Sequence, residues 1–226
     1  MVEDQVAVPA AARVALVAGA TGLVGQAVLA VLLTDKRYSA VHCVGRKLPG
    51  VKHPRLFCHL VDFQSLESLP GNKHVDDVFI ALGTTIKVAG SKAAFRAIDF
   101  DAVVAVARLG KSMGATKLGV VSAMGARLDS TVFYNRIKGE MELALTQLTY
   151  SVLVIARPSM LAGDRDALLQ APRPAERLGL MAMQLFKPLI PKNYRAINAT
   201  KVAQVLTSAV QQTERGQRVL LSGEMQ

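Results

Sequence analysis

Three residues near the middle of the chain have the chemistry of a proton-transfer site. Tyr134 and Lys138 stand four apart in the run Tyr-Asn-Arg-Ile-Lys, and Ser122 precedes Tyr134 by twelve residues at the end of Gly-Val-Val-Ser. On a helix, a spacing of four puts the phenol and the ammonium on one face. A neighbouring cation favours the phenolate and moves the phenol from its ordinary pKa of about 10 toward general acid–base work. Lys138 would also hold a ribose hydroxyl, and Ser122 would bind and orient a carbonyl oxygen. The Tyr-x-x-x-Lys pair alone says little. With four tyrosines in the chain, such a pair arises by chance about one time in five at ordinary lysine frequency. A strand-end serine upstream and a ligand-holding loop make the coincidence far rarer.

That loop is Gly19-Ala-Thr-Gly-Leu-Val-Gly25, with glycines at 19, 22 and 25. A strand-like run, Val-Ala-Leu-Val-Ala, leads into it and a helix-like run follows. A tight turn needs a residue without Cβ, a pyrophosphate needs bare backbone, and close helix–strand packing favours a third small residue. The helix N-terminus then offers free N–H groups and a positive dipole end to phosphate oxygens. A glycine-rich turn without a ligand is the plain alternative, and the strand–loop–helix setting speaks against it. About twenty residues further on, the second strand ends in Val44-Gly45-Arg46-Lys47. A site selective for NAD tends to place a carboxylate there for the ribose hydroxyls. Here Arg46 and Lys47 occupy the place, and a guanidinium forks onto a 2′-phosphate. NADP is therefore favoured over NAD. The third strand ends in Val61-Asp62-Phe63, where Asp62 either accepts from an adenine amino group or caps the following turn.

The elements that must position these residues read as alternating strands and helices. Strands are expected at Val14–Ala18, Ala40–Val44, Leu56–Leu60, Asp77–Ala81, Leu118–Ser122, Ser151–Ile155 and Arg218–Leu221. Helices are expected at Leu23–Leu33, Lys92–Met113, Ser130–Leu148 and Ala199–Gln212. The strands are almost continuously apolar, as in a sheet covered on both faces. The alternation predicts right-handed βαβ crossovers and a parallel sheet. The irregular stretch is Met160–Ala196, with Pro172, Pro174, Pro188 and Pro191 around Leu178, Met181, Leu185 and Phe186. It is either a small substrate-side cap or a helix that completes the core.

Bulk properties bound the rest. A chain of 226 residues with 51% hydrophobic content suits one large domain, or a domain with a small cap. The acidic start Met-Val-Glu-Asp-Gln lacks the basic region of a secretory signal. The apolar stretch 14–33 is long enough for a membrane span, but its three glycines make a poor helix; no membrane span is expected. Cys43 and Cys58 read as buried, reduced thiols of a cytoplasmic protein. His42, His53, His59 and His74 lack zinc-site spacing, so no metal is expected. The net charge of +10 is scattered and lacks interleaved aromatics, which argues against a nucleic-acid partner.

The runs GATGLVG, VGRK, VVSAMGA, YNRIK and IARPSMLAGDR together resemble the atypical short-chain dehydrogenase/reductase family. The likeness is to its small NADP-binding branch that includes the Tat-interacting-protein oxidoreductase, and it extends from Val14 to Gly223. It implies a Rossmann fold, a doubly wound parallel α/β sheet of about seven strands, in a single domain over 1–226 with 160–196 as a substrate-side cap. It implies cofactor contacts at Gly19, Thr21, Gly22, Leu23, Val24, Gly25, Arg46, Lys47, Asp62, Phe63, Ala81, Leu82, Gly83 and Lys138. Arg157, Pro158 and Ser159 match the segment beside the nicotinamide, and Ser122, Tyr134 and Lys138 match the family's catalytic set. Asp99 stands where many relatives carry an asparagine. The short C-terminal part leaves little room for a full sugar-nucleotide pocket. Two functions follow. One is an NADPH-dependent oxidoreductase that reduces a small carbonyl compound, with Tyr134 as general acid. The other is an NADP(H)-binding regulatory or redox-sensing protein that acts through a protein partner with little turnover.

Overall fold

Apolar runs of four to eight residues become the central strands here because both of their faces are covered. The computed structural model describes residues 12–71, 74–162 and 191–226. Seven strands form one parallel sheet: β1 (Arg13–Ala18), β2 (Tyr38–Gly45), β3 (Leu56–Leu60), β4 (Asp77–Ile80), β5 (Lys117–Val121), β6 (Val152–Arg157) and β9 (Gly216–Leu221). Their spatial order is β3-β2-β1-β4-β5-β6-β9, and every neighbouring pair is parallel. Leu16 at the centre pairs with His42 on one side and Val78 on the other. The strand order reverses between β1 and β4. Crossovers leave in opposite directions there, so a crevice opens beyond the carboxyl ends of those two strands.

The helices are α1 (Leu23–Thr34), α2 (Ile86–Ala89), α3 (Lys92–Arg96), α4 (Ala102–Ser112), α5 (Phe133–Gln147) and α6 (Ala199–Gln212). One apolar layer joins α1 and α6 to the sheet through Val28, Leu32, Leu206 and Val210 against Val17 and Val154. The other joins α4 and α5 through Val103, Val106, Met141 and Leu145 against Leu16, Ile80 and Leu118. Asn198 caps α6, its Oδ1 accepting from the Thr200 N–H at 2.8 Å. The parallel α/β sheet of seven strands is the expected architecture, with element ends displaced by a few residues.

Four differences separate the expected elements from the observed ones. The expected helix Lys92–Met113 is broken: α3 passes through a π-turn, Ala97–Asp101, before α4. No glycine or proline marks that turn. Residues Ile86–Ala89 form a short helix, because Thr85 Oγ1 accepts from the Val88 N–H. The expected helix at Ser130 begins at Phe133, since Ser130 instead accepts from the Val132 N–H through its hydroxyl. Cys43 is buried as expected, but Cys58 is exposed, because β3 is an edge strand with one open side.

Of the cap at 160–196, residues 163–190 lie outside the described residues. Its flanks pair as a two-stranded parallel ladder of β7 (Leu161–Ala162) and β8 (Ile197–Asn198). The chain therefore returns beside the end of β6. Among the described residues no helix is long and apolar enough to cross a membrane.

Candidate functional site

The glycine loop joins β1 to α1 at the reversal of strand order. Gly19 has φ +87°, and a Cβ there would lie 2.5 Å from the Ala81 carbonyl. A Cβ at Gly25 would lie 1.9 Å from the Gly19 oxygen. Both glycines are therefore demanded by the protein's own packing. Gly22 differs: a Cβ there meets the Gly19 oxygen at an ordinary 3.5 Å. Gly22 is also the N-cap of α1, without a side-chain cap and without an acidic residue in the first turn. The first N–H groups of α1 thus stand open beside bare backbone. A pyrophosphate fits this cradle on both counts, through its charge and through its need for close approach.

Two clefts flank the loop and share Leu82. The first, about 380 Å³, is lined by Gly19, Ala20, Thr21, Val44, Gly45, Arg46, Lys47, Phe63, Leu82 and Ile98. It holds two cations and a phenyl ring, with no carboxylate on its walls. Asp62 is not on these walls. Its Oδ1 accepts from the Gln64 N–H at 3.0 Å, so its side chain caps a turn.

The second cleft, about 280 Å³, brings the chemistry together. Gly22, Leu23 and Val24 form one wall, Ala81 to Thr85 another, and Ser122, Tyr134, Lys138 and Asp99 line it as well. The phenol and the ammonium come from one face of α5, as their spacing predicts. Gly139 allows α5 to sit close to the preceding loop, where a Cβ would lie 2.5 Å from the Arg127 backbone. Ser122 is fixed at the end of β5 by its N–H, which donates to the Ala156 carbonyl at 2.8 Å.

Ser122 and Lys138 each have a carboxylate behind them. The Ser122 hydroxyl donates to Glu142 Oε1 at 2.5 Å. Arg157 forks onto the same carboxylate, with Nε at 3.0 Å and Nη2 at 2.5 Å. Arg157 therefore faces Glu142. The part of its segment that reaches the cleft is Ser159, Met160 and Leu161, while the Pro158 carbonyl accepts from the Met124 N–H. Glu142 was not singled out from the sequence, although a signal exists: it lies one turn beyond Lys138 on the same helix face.

Lys138 Nζ lies 2.8 Å from Asp99 Oδ1, and their side chains are 3% and 0% exposed. Asp99 Oδ2 accepts from the Thr84 N–H at 2.8 Å. Burial pushes the Asp99 carboxyl up, and Lys138 opposes that shift. Tyr134 packs against Phe95, ring centres 5.4 Å apart. Burial pushes its phenol above the ordinary value; Lys138 pulls it down, and Asp99 pushes it up again. The expectation of a lowered phenol is thus corrected. The cation that would lower it is paired, and desolvation outweighs what remains. At neutral pH the Tyr134 phenol therefore keeps its proton.

No protein-family model matches the chain. Curated relatives do. FMP52-1 of Scheffersomyces stipitis, named a mitochondrial protein, is 32% identical over 157 residues, covering 67% of this chain and 69% of that protein. FMP52 of Coccidioides immitis, also named mitochondrial, is 29% identical over 85% of this chain and 83% of its own length. HTATIP2 of Rattus norvegicus is 32% identical over 71% of this chain and 66% of its own length. Among solved structures, a short chain dehydrogenase family protein from Francisella tularensis superposes with a TM-score of 0.65 at 16% identity, covering 95% of this chain and 99% of that one. UDP-glucose 4-epimerase from Thermotoga maritima gives 0.68 at 13% identity, over 93% and 77%. The Bordetella bronchiseptica enzyme WbmG, solved with NAD, gives 0.66 at 15% identity, over 96% and 75%. These structures share the fold. The mitochondrial names of the relatives contradict the expectation of a cytoplasmic protein. The physical reason is simple: reduced thiols do not distinguish one reducing compartment from another.

Proposed function

The chain belongs to the family of the FMP52 and HTATIP2 proteins, atypical short-chain dehydrogenases/reductases, and from that premise we propose that it is an NADPH-dependent oxidoreductase reducing a small carbonyl compound. The observation that carries this reading is that Tyr134, Ser122 and Lys138 line one cleft with the Gly22–Val24 backbone. A phosphate-accepting loop and a proton donor thus face the same space. When bound, the dinucleotide supplies hydride to a carbonyl carbon. The chain's own residues do the rest. Gly22 and the first N–H groups of α1 hold the pyrophosphate. Arg46 and Lys47 take the 2′-phosphate, which supports NADPH over NADH. Lys138 holds the ribose from its place beside Asp99. Tyr134 gives its proton to the carbonyl oxygen as charge develops there, and its raised pKa suits a donor.

One observation favours a second reading, an NADP(H)-binding regulatory protein with little turnover. The Ser122 hydrogen is already directed at Glu142, so this hydroxyl presents lone pairs to the cleft. A carbonyl oxygen needs a donor. Steady-state NADPH oxidation against a panel of aldehydes and ketones separates the two. Reduction of a carbonyl compound that is lost in Tyr134→Phe supports the oxidoreductase. Tight NADPH binding with no turnover across the panel supports the regulatory protein.

A further inference from the structure

The Asp99–Lys138 pair is buried where stability does not explain it. An ion pair removed from water gives back much of its Coulomb gain as desolvation, and apolar replacements are often as stable. Yet the chain carries Asp99 on a π-turn, an uncommon irregularity that recurs at functional sites. Asp99 Oδ2 accepts from the Thr84 N–H, and Oδ1, which makes no directed hydrogen bond, is in ion-pair contact with Lys138. The carboxylate also lies close against the loop that walls the cleft: a Cβ at Gly83 would stand 3.4 Å from Asp99 Oδ1 and 3.8 Å from Lys138 Nζ.

We propose that Asp99 is a positioning residue that cancels the charge of Lys138 and so keeps Tyr134 a neutral proton donor, setting the cleft for carbonyl reduction at neutral pH; this rests on the oxidoreductase reading above. A lone ammonium one helical turn from a phenol stabilises tyrosinate. Tyrosinate is the form that would accept a proton from an alcohol. An ammonium with a carboxylate at contact distance presents the phenol with a dipole instead of a charge, and that attraction falls off faster with distance. Reduction then begins from the protonated phenol. The proton leaves for the carbonyl oxygen, the tyrosinate remains, and solvent returns the proton afterwards.

Of the other charges nearby, the two carboxylates are paired, and Lys92 and Arg136 lie over the ring of Phe133. Glu142, behind Ser122, is forked by Arg157, and Glu140 on the same helix is paired with Arg96. Lys92 Nζ is 5.3 Å from the centre of that ring. Among the described residues, Asp99 and Lys138 are the charged groups that line the cleft with Tyr134.

Ultraviolet titration of tyrosine ionisation in the purified protein tests this without substrate or cofactor. The chain has four tyrosines, and subtracting the curve of Tyr134→Phe isolates the one in the cleft. In the wild type its midpoint should lie above the ordinary value of about 10. In Asp99→Asn it should fall by about one pH unit or more, because Lys138 is then uncompensated. With a carbonyl substrate, the alkaline limb of the reduction profile should move down by the same amount. Asp99→Ser gives the same reading should the asparagine variant fail to fold. A Tyr134 midpoint that stays in place or rises in the folded variant overturns the assignment. Absence of carbonyl turnover in the wild type would count against the oxidoreductase instead, and the titration would still decide the role of Asp99.

Discussion

Asp77 and Asp99 are both fully buried carboxylates, and they sit at opposite ends of the same sheet. Asp77 opens β4 at the amino end. It takes Arg13 Nε at 2.7 Å and Nη2 at 2.6 Å, the Tyr38 hydroxyl at 2.7 Å and Gln211 Nε2 at 2.9 Å. Four donors from β1, β2 and α6 close around it. Asp99, beyond the carboxyl end of β4, has one backbone N–H and one ammonium, and it borders a cleft. Two tyrosines repeat the contrast. Tyr38 gives its hydroxyl to Asp77, and burial, with Asp77 second, raises its pKa. Tyr134 is also raised by burial, yet it lines open space. A saturated buried charge fastens elements together. A buried charge with spare capacity beside a cavity is placed to act on what the cavity holds. In open α/β sheets ligands bind in the crevice at the carboxyl ends of the strands, which is the end where Asp99 lies.

Substitutions at the two ends should therefore separate stability from function, and the largest separation should come from Gly22. Gly22→Val should abolish measurable dinucleotide binding while leaving the urea midpoint near the wild-type value. A Cβ at Gly22 meets only ordinary contact within the protein, whereas a pyrophosphate needs that backbone bare. Unchanged affinity by calorimetry in the folded variant would show the loop to be only a turn. Next in size is Tyr134→Phe, which should lower kcat for NADPH oxidation by about two to four orders of magnitude with cofactor affinity kept. Tyr38→Phe, the matching change at the other end, should leave turnover alone. A wild-type rate in Tyr134→Phe would remove the general acid from the cleft.

Asp77→Ala should do the reverse. It leaves Arg13 and Tyr38 without their partner and should lower unfolding stability by about 3 kcal/mol, read from urea denaturation. Cofactor affinity should follow only as far as folding does. Equal stability in this variant would mean that the amino-end network is incidental. The smallest effect should be that of Arg46→Ala. It should remove most of the preference for NADPH over NADH, about 1–3 kcal/mol for a charge-assisted contact. Equal affinities for the two dinucleotides in the wild type would dispose of it. The pH dependence follows the same division. The Tyr134 phenol is raised, so the proton donor is present below its pKa and lost as pH rises through it. Reduction should therefore hold through neutral pH and decline only in alkaline solution.

The sequence by itself determined the sheet, the crossovers and the placing of Tyr134 and Lys138 on one helix face. Apolar runs, helix periodicity and the four-residue step from Tyr134 to Lys138 are local properties, and backbone geometry converts them directly into elements and faces. The glycine loop was legible for the same reason, since strand, turn and helix are contiguous. The tertiary structure decided what each residue faces. Asp99 meets Lys138 across thirty-nine positions, and Ser122 meets Glu142 across twenty. Neither meeting exists until β4, β5 and α5 are packed in one particular order. Which glycine the fold demands and which only a ligand needs depends likewise on the distance from Gly19 to Ala81 and Gly25. The exposure of Cys58 depends on β3 being an edge. The ionisation of Tyr134 was misjudged from sequence because spacing reveals a neighbouring cation but neither the burial around the phenol nor the distant carboxylate that compensates the cation. Desolvation and pairing are properties of three-dimensional surroundings, and only the folded chain supplies them.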